Sequence, residues 1–533
     1  ENMRKELLVL AALCLVSGMA FAGGQTDTGA STAPREITIW EELWPNASVS
    51  VSGLAETPLY KEAMKRTGIN VTWIHPPQGQ AREQFNLMVA SNEFPDMIFW
   101  NWGRQYPGGP EKALGDGVIM ELNDVIENKM PNLWKTLNRD INYLKGAKTD
   151  GGKLYMFPFI RGHDDLMVFF GPQMREDWRK ELGLEIPETM DDWTALLTAF
   201  KKAGKAEYPL TFTKFDKGRG INGPGNAFIQ PFGTTWEFHQ NDAGKVQFGP
   251  YKDEFKDFLT FFKGWYDSGL VDPEFFSNER KTFDAKVVNG DAAAWTSYTG
   301  SGIGAYIDAH RGKNDGYDLV PAPYPVLKKG DVPFFGQRDN PIVGNGMAIT
   351  TQAKDVDLCA EWSDYPYSEE GHILFNYGIE GESFNWVTNY PGFEGEKFGQ
   401  YTELMMNNPE GKTLSQMGGL YTRAFYNGPI VQERQYIYQY AHRPAQRAAI
   451  KIWAKTEAAK HMIPVTTPTP EEAEDLAAIM AEVNTYRDEM VVKFITGQEP
   501  LGNFGDFQAR LKQMGIDRAI EIQQSALDRY NKR

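Results

Sequence analysis

Between residues 35 and 101 the chain switches repeatedly between two hydrophobic periods. REITIW (35–40) alternates polar and apolar residues, as a strand with one buried face does. From about Pro58, Leu59, Ala63 and Met64 share a helical face. TGINVTW (67–73) reads as a turn and a second strand. Ala81–Ser91 carries Phe85, Met88 and Val89 at helical spacing, and PDMIFW (95–100) is a third strand. Strand, helix, strand, helix, strand predicts a parallel α/β sheet, because parallel neighbours need a crossover long enough to hold a helix. Such a sheet binds its ligand beyond the carboxyl ends of its strands. The residues that follow each strand are therefore the first candidates for a site.

Later segments extend the pattern. KLYMFPFIRGHDDLMVFF (153–170) is extended and interrupted by polar residues. Thr189 and Asp192 form a capping-box pattern ahead of Trp193, Leu196, Leu197 and Phe200. A helix over about 251–268 carries Phe255, Phe258, Leu259 and Phe262. Thr469-Pro470-Glu471-Glu472 is a strong helix start, and that helix is expected to run towards about Phe494. With 533 residues there is room for two or more domains. The reading is two α/β lobes, with extended segments near 153–170 and 333–350 crossing between them.

The first 22 residues have a separate role. Arg4 and Lys5 precede an apolar run, Leu7–Val16, and Ala20-Phe21-Ala22 offers small residues to a signal peptidase. The run is too short to span a bilayer as a helix. Residues 1–22 are expected to be an export signal and 23–35 a small, polar tether. A lipid anchor on Cys14 is the alternative, although Leu13 is large for that signal. Cleavage would remove two acids and two bases, leaving the net charge at −16, and would leave Cys359 as the lone cysteine. Its helical setting, DLCAEW, suits a small core residue rather than a nucleophile. The acidic balance argues against nucleic acid, whose phosphates need a basic footprint.

Catalytic and metal motifs are sparse. Seven histidines are scattered with no HExxH pair, and CxxC, G-x-S-x-G, P-loop and EF-hand patterns are all missing from the sequence. No cofactor is expected and no metal site is recognisable. TGSGIG (299–304) lacks the Lys-Ser/Thr of a phosphate loop and reads as a turn before a helix. Glycoside hydrolysis needs two carboxylates. Glu41-Glu42 and Asp164-Asp165 are adjacent, and neighbours on a strand face opposite ways, so neither pair alone is an acid/base couple. A distant pair would still permit a secreted glycosidase.

Seven segments, in order, resemble the family 1 extracellular solute-binding proteins, in the large-chain group that feeds carbohydrate importers. They are KRTGINVTW (65–73), MVASNEFPDMIF (88–99), GGKLYMFPF (151–159), MREDWRKELGLEIPETMDDW (174–193), YDSGLVDPEFF (266–276), YSEEGHILFNYGIEGESFNW (367–386) and the C-terminal stretch 494–530. The resemblance implies a periplasmic binding protein-like type II fold, with two discontinuous α/β lobes, an interlobe cleft and no catalysis. By that analogy lobe 1 takes 36–157 and 338–385, and lobe 2 takes 158–337 and 386–533. Hinges would lie near Phe157–Ile160, Gly336–Asn340 and Trp386. The implied partners are an oligosaccharide and the transmembrane subunits of an ABC permease, with the protein itself a monomer. A peptide or other polar solute is the alternative ligand.

Sugar rings present apolar C–H faces and a hydroxyl rim, which aromatic rings and charged or amide side chains recognise respectively. Four stretches fit. WEELW (40–44) offers Glu41, Glu42 and Trp44; WNWGR (100–104) offers Trp100, Trp102 and Arg104. FIRGHDD (159–165) offers Arg161, His163, Asp164 and Asp165, and WTSYTG (295–300) offers Trp295 and Tyr298. Trp236, Arg338, Asn340, Trp386 and Tyr421 are further candidates. Each Trp competes with a plain core role, since buried aromatics outnumber ligand-facing ones.

Overall fold

The computed structural model describes residues 35–214, 218–221 and 227–533. The expected export signal and nearly all of the expected tether lie outside the described residues. Strands are numbered in chain order. The larger sheet is built from β1 (Glu36–Trp40), β2 (Asn70–Ile74), β3 (Met97–Asn101), β4 (Phe157–Arg161), β10 (Ile342–Ile349) and β13 (Val431–Gln432), in the order β13-β4-β10-β3-β1-β2. β1 runs parallel to β2 and β3, and β13 runs parallel to β4, while β10 is antiparallel to both of its neighbours. Five carboxyl ends therefore gather on one edge, at Trp40, Ile74, Asn101, Arg161 and Gln432.

The helices between these strands follow the sequence periods. Pro58–Thr67 starts where Thr57 accepts a hydrogen bond from the Tyr60 amide and ends at Gly68, whose φ of 66° only glycine adopts freely. Leu59, Tyr60 and Ala63 face inward. Ala81–Ser91 buries Phe85. Cys359, on Val356–Asp364, is fully buried, and burial pushes its thiol up to about 12.

The second lobe is organised around β5 (Phe170–Arg175), β8 (Ala294–Tyr298) and β9 (Leu319–Pro321), ordered β8-β5-β9 and all antiparallel. The hairpin β6 (Phe238–Gln240) and β7 (Val246–Phe248) belongs to this lobe. The helix Met190–Lys202 has the full Thr189/Asp192 capping box, and Pro470–Thr496 has the Thr469/Glu472 box. Trp193, Phe258, Phe262 and Phe494 share one core.

The chain crosses between lobes three times. It leaves the first sheet after Arg161 and enters the second at Phe170; it returns between Pro321 and Ile342. The third crossing differs from the sequence expectation, which placed it near Trp386. Residues 386–432 stay with the first lobe. Trp386 lies in the hairpin β11 (Phe384–Val387) and β12 (Phe398–Tyr401), while Tyr401, Met405, Met417, Leu420 and Val431 join the first core. The crossing comes after β13, where Pro444–Trp453 packs on the second sheet. Trp453 covers Gly171 of β5 so closely that a Cβ there would lie 2.7 Å from the indole, and its Nε1 donates to the Ala322 carbonyl (3.0 Å). Residues 386–432 lack the long periodic helices that mark a lobe, so their sequence does not announce which core they join.

Candidate functional site

Two chambers open at the carboxyl edge of the first sheet and meet at Tyr426 and Asn427. The outer one, about 290 Å³, lies between the turn after β1 (Glu41, Glu42, Trp44), the end of β3 (Phe99, Trp100, Asn101) and Asn345 of β10. The other, about 220 Å³, lies between Phe159 and Arg161 of β4, Tyr298–Ser301 after β8, and Tyr436 and Tyr440. Both lobes thus contribute to the second chamber.

A buried ion pair underlies the first chamber. Arg423 is fully buried and donates from Nη2 to Glu41 Oε1 and from Nη1 to the Tyr60 hydroxyl (2.9 Å). Burial, more than its charged neighbours, holds the Tyr60 hydroxyl well above its ordinary value. The Arg423 guanidinium also sits 4.5 Å from the Trp44 ring and 4.9 Å from Phe99. Trp44 Nε1 donates to Glu41 Oε1 (3.3 Å), and its ring stacks on Tyr426 with centroids 4.4 Å apart and planes 17° from parallel. The Glu41–Arg423 pair therefore orients an aromatic double layer at the point where the chambers join.

The sequence candidates divide into three groups. Glu41, Glu42, Trp44, Trp100, Arg161, Asp165 and Tyr298 line the two chambers. Trp100 does so by its edge, because Phe85 stacks on its face at 4.4 Å. Arg161 donates to Asp339 (2.9 Å) and Gln432 (3.4 Å). Tyr298 has the Arg219 guanidinium 4.5 Å from its ring and Phe169 parallel at 6.1 Å, which leaves its edge for the chamber.

His163, Asp164 and Arg338 lie elsewhere. They border a wider cavity, about 490 Å³, on the other side of the crossing strands, with Asp140, Tyr143 and Tyr530. Arg338 donates to Asp164 there (2.7 Å). Asn340 borders this cavity and an adjoining one, about 450 Å³, that includes Arg104.

The remaining candidates are packing residues. Trp102 is 0% exposed and donates to the Gly346 carbonyl (3.2 Å). The expectation that Trp100 and Trp102 share one ligand-facing side fails because β3 ends at Asn101 and the turn swings the second indole into the core. Trp295 is buried in the second lobe and donates to Gln173 (3.2 Å). Trp236 is buried beneath Arg487, 5.1 Å from its ring. Trp386 lies under Lys397 (4.0 Å), and Tyr421 donates to Glu382 from the first core.

Sequence reasoning missed Tyr426, Asn427, Tyr436 and Arg423. The first two sit in AFYNGP (424–429), an irregular stretch with no period. The signal that could have found them is the aromatic pair beside Asn-Gly, a turn that holds rings at the surface. Among the described residues, no group of three or more His, Cys, Asp or Glu is placed to hold a metal ion.

A pair of α/β lobes with a polar, aromatic-walled cleft at their strand ends defines a binding protein of the periplasmic type II class, and solved structures share that fold. The FusA substrate-binding protein of Streptococcus pneumoniae in complex with kestose aligns with a TM-score of 0.71 at 22% identity, over 93% of this chain and 99% of its own. The HMO-binding ABC-transporter-associated solute-binding protein of Bifidobacterium longum infantis aligns at 0.74 and 16% identity, over 94% and 100%. The family model for bacterial extracellular solute-binding proteins matches residues 47–373, more than half of the chain, and the protein belongs to that family. Among curated relatives, the fructooligosaccharide ABC transporter substrate-binding protein FusA of S. pneumoniae is 24% identical over 505 residues, covering 87% of this chain and 86% of FusA. The lipoprotein LipO of Bacillus subtilis is 27% identical over 421 residues, covering 76% and 77%.

Proposed function

We propose that this protein captures an oligosaccharide outside the cytoplasm, between its two lobes, and hands it unchanged to the transmembrane subunits of an ABC importer. The observation that carries the reading is the Trp44–Tyr426 stack at the junction of two chambers whose remaining walls are phenols, amides and a few charges. Sugar rings lie on such rings, and their hydroxyls bond to amide and carboxylate groups. Together the chambers fall within the roughly 300–1,000 Å³ of a small-molecule site. Relatives that bear fructooligosaccharide and HMO binding in their names support the ligand class.

In this reading the first lobe comprises 36–161 and 342–432, and the second 170–321 and 444–533, with the three intervening segments as hinges. The ligand contacts are Glu42, Trp44, Trp100, Arg161, Tyr298 and Tyr426. No reaction is expected: Glu41 is already engaged by Arg423 and Trp44. The protein acts as a monomer, exported by its N-terminal signal. Isothermal titration against a panel of di-, tri- and tetrasaccharides tests the proposal, with chromatography of the recovered ligand. Saturable binding and an intact ligand are expected. Absence of binding across the panel defeats the ligand class, and a cleaved product defeats the transport role.

A further inference from the structure

Resting on the oligosaccharide reading, we propose that the cleft selects uncharged sugars and rejects acidic ones, and that Glu42 enforces the choice. The charges that line the two chambers are few and mostly negative. Among the described residues, Arg161 is the one cation in either lining; the carboxylates are Glu41, Glu42 and Asp165.

The charge of Arg161 is already met within the protein. Its Nη2 holds Asp339 at 2.9 Å, its Nη1 reaches Gln432, and Phe159 and Phe169 lie 5.4 and 5.2 Å from its guanidinium. Two further arginines lie behind the walls rather than in them. Arg423 is buried and paired with Glu41. Arg219 is 2% exposed, donates to the Ser301 carbonyl (3.0 Å) and hydroxyl (2.8 Å), and shares its surroundings with Asp284 through Tyr306.

The carboxylates are differently placed. Asp165 accepts from the Tyr438 hydroxyl (2.9 Å), a neutral donor, and pairs with no Arg or Lys among the described residues. Glu42 is half-buried in the wall of the larger chamber and makes no hydrogen bond or ion pair with any described residue. Around it stand neutral amides, Asn101, Gln105, Asn345 and Asn427. Amides and a free carboxylate bond well to hydroxyls. A uronate ring in the same place brings a second negative charge into a partly desolvated wall where, among the described residues, the one lining cation is already paired with Asp339, and like charges repel strongly where water is thin. The chain's net charge of −16 adds a long-range repulsion in the same direction.

The test is isothermal titration of the full mature chain at low salt. Neutral fructo-, gluco-, galacto- and manno-oligosaccharides of two to four residues are compared with galacturonate and mannuronate oligomers of the same lengths. At least one neutral series is expected to bind, with every uronate oligomer about a hundredfold weaker or worse. Glu42→Gln, checked for an unchanged melting temperature, should narrow that preference by about tenfold, chiefly by strengthening uronate binding. Uronate binding by the wild type as tight as the best neutral sugar overturns the proposal, as does a preference that Glu42→Gln leaves unmoved. If neither set binds, the oligosaccharide reading itself falls and takes this inference with it; if acidic sugars bind, that reading stands and only the charge selection is lost.

Discussion

The two sides of the lobe junction are built from opposite chemistry. On the side of the chambers the lining is mostly rings and amides, with the Glu41–Arg423 pair sunk beneath them. On the other side the lobes are joined by ions. Asp150 of the first lobe accepts from Arg529 Nε (2.7 Å) on the helix Ile516–Lys532 and from Arg533 Nε (3.1 Å) just beyond it, Arg529 also reaches Glu472 (3.2 Å), and Arg533 Nη1 donates to the Lys145 carbonyl (2.7 Å). Charges that meet each other stitch the rear; at the front the Glu41–Arg423 pair lies beneath the surface and Glu42 stands unpaired among amides, which suits a hydroxyl-rich guest. A buried ion pair adds little net stability but is costly to break singly, so the same chemistry fixes geometry on both sides.

Removing half of a charge cluster is the most severe way to break that contrast. Asp150→Asn should cost about 3–5 kcal/mol, since it leaves the buried Arg533 guanidinium without its carboxylate. Urea denaturation would read this, and a loss below about 1 kcal/mol would mean the rear seam is not a stabilising joint. Trp102→Ala is expected to cost a similar 3–5 kcal/mol by opening a core cavity, with ligand affinity preserved in the fraction that folds. A selective loss of affinity would return Trp102 to the cleft.

A smaller effect separates the two sides by pH. His239, buried next to Gln240 at the rear, is held neutral: burial lowers its pKa from 6.5 to about 4, opposed in part by the Glu237 carbonyl. Its folded value lies below the unfolded one, so the unfolded chain takes up the proton first. Its contribution is complete above pH 6.5, falls as the pH drops from 6.5 towards 4, and levels off below that, for a loss of about 3 kcal/mol. Denaturation curves across that window should show the slope, and His239→Gln should flatten it. The mildest test concerns the front. Tyr426→Ala should weaken sugar binding about ten- to thirtyfold, or about 1–2 kcal/mol, and move the melting temperature little because the ring is only partly buried. Calorimetry that finds unchanged affinity would remove the stack from the ligand contacts.

Much of the fold was legible because periodicity reports burial directly. The strands at 36–40, 70–74 and 97–101 and the capped helices at 190–202 and 470–496 lie where alternation and caps placed them. The site was half legible. Strand-end reasoning reached Glu41, Glu42, Trp44, Trp100, Arg161 and Tyr298, since topology sends those positions to the cleft. It overreached at Trp102, Trp236 and Trp295, whose indoles pack inward where a backbone carbonyl, a cation and an amide wait respectively, and such partners lie from 122 to 251 residues away. It stopped short of Arg423 and Tyr426 for the same reason. The Glu41–Arg423 pair spans 382 residues, and no local pattern announces it.

Cys359 has a practical consequence. Its thiol is enclosed in the first core and protonated at any working pH, so thiol-reactive dyes find nothing to attack there in the folded protein. A cysteine placed at Asn427, where the two chambers meet, would be the single reactive handle among the described residues. An environment-sensitive fluorophore attached at that point would turn the protein into an optical reporter of whatever enters the cleft, read out in real time and without labelling the sugar.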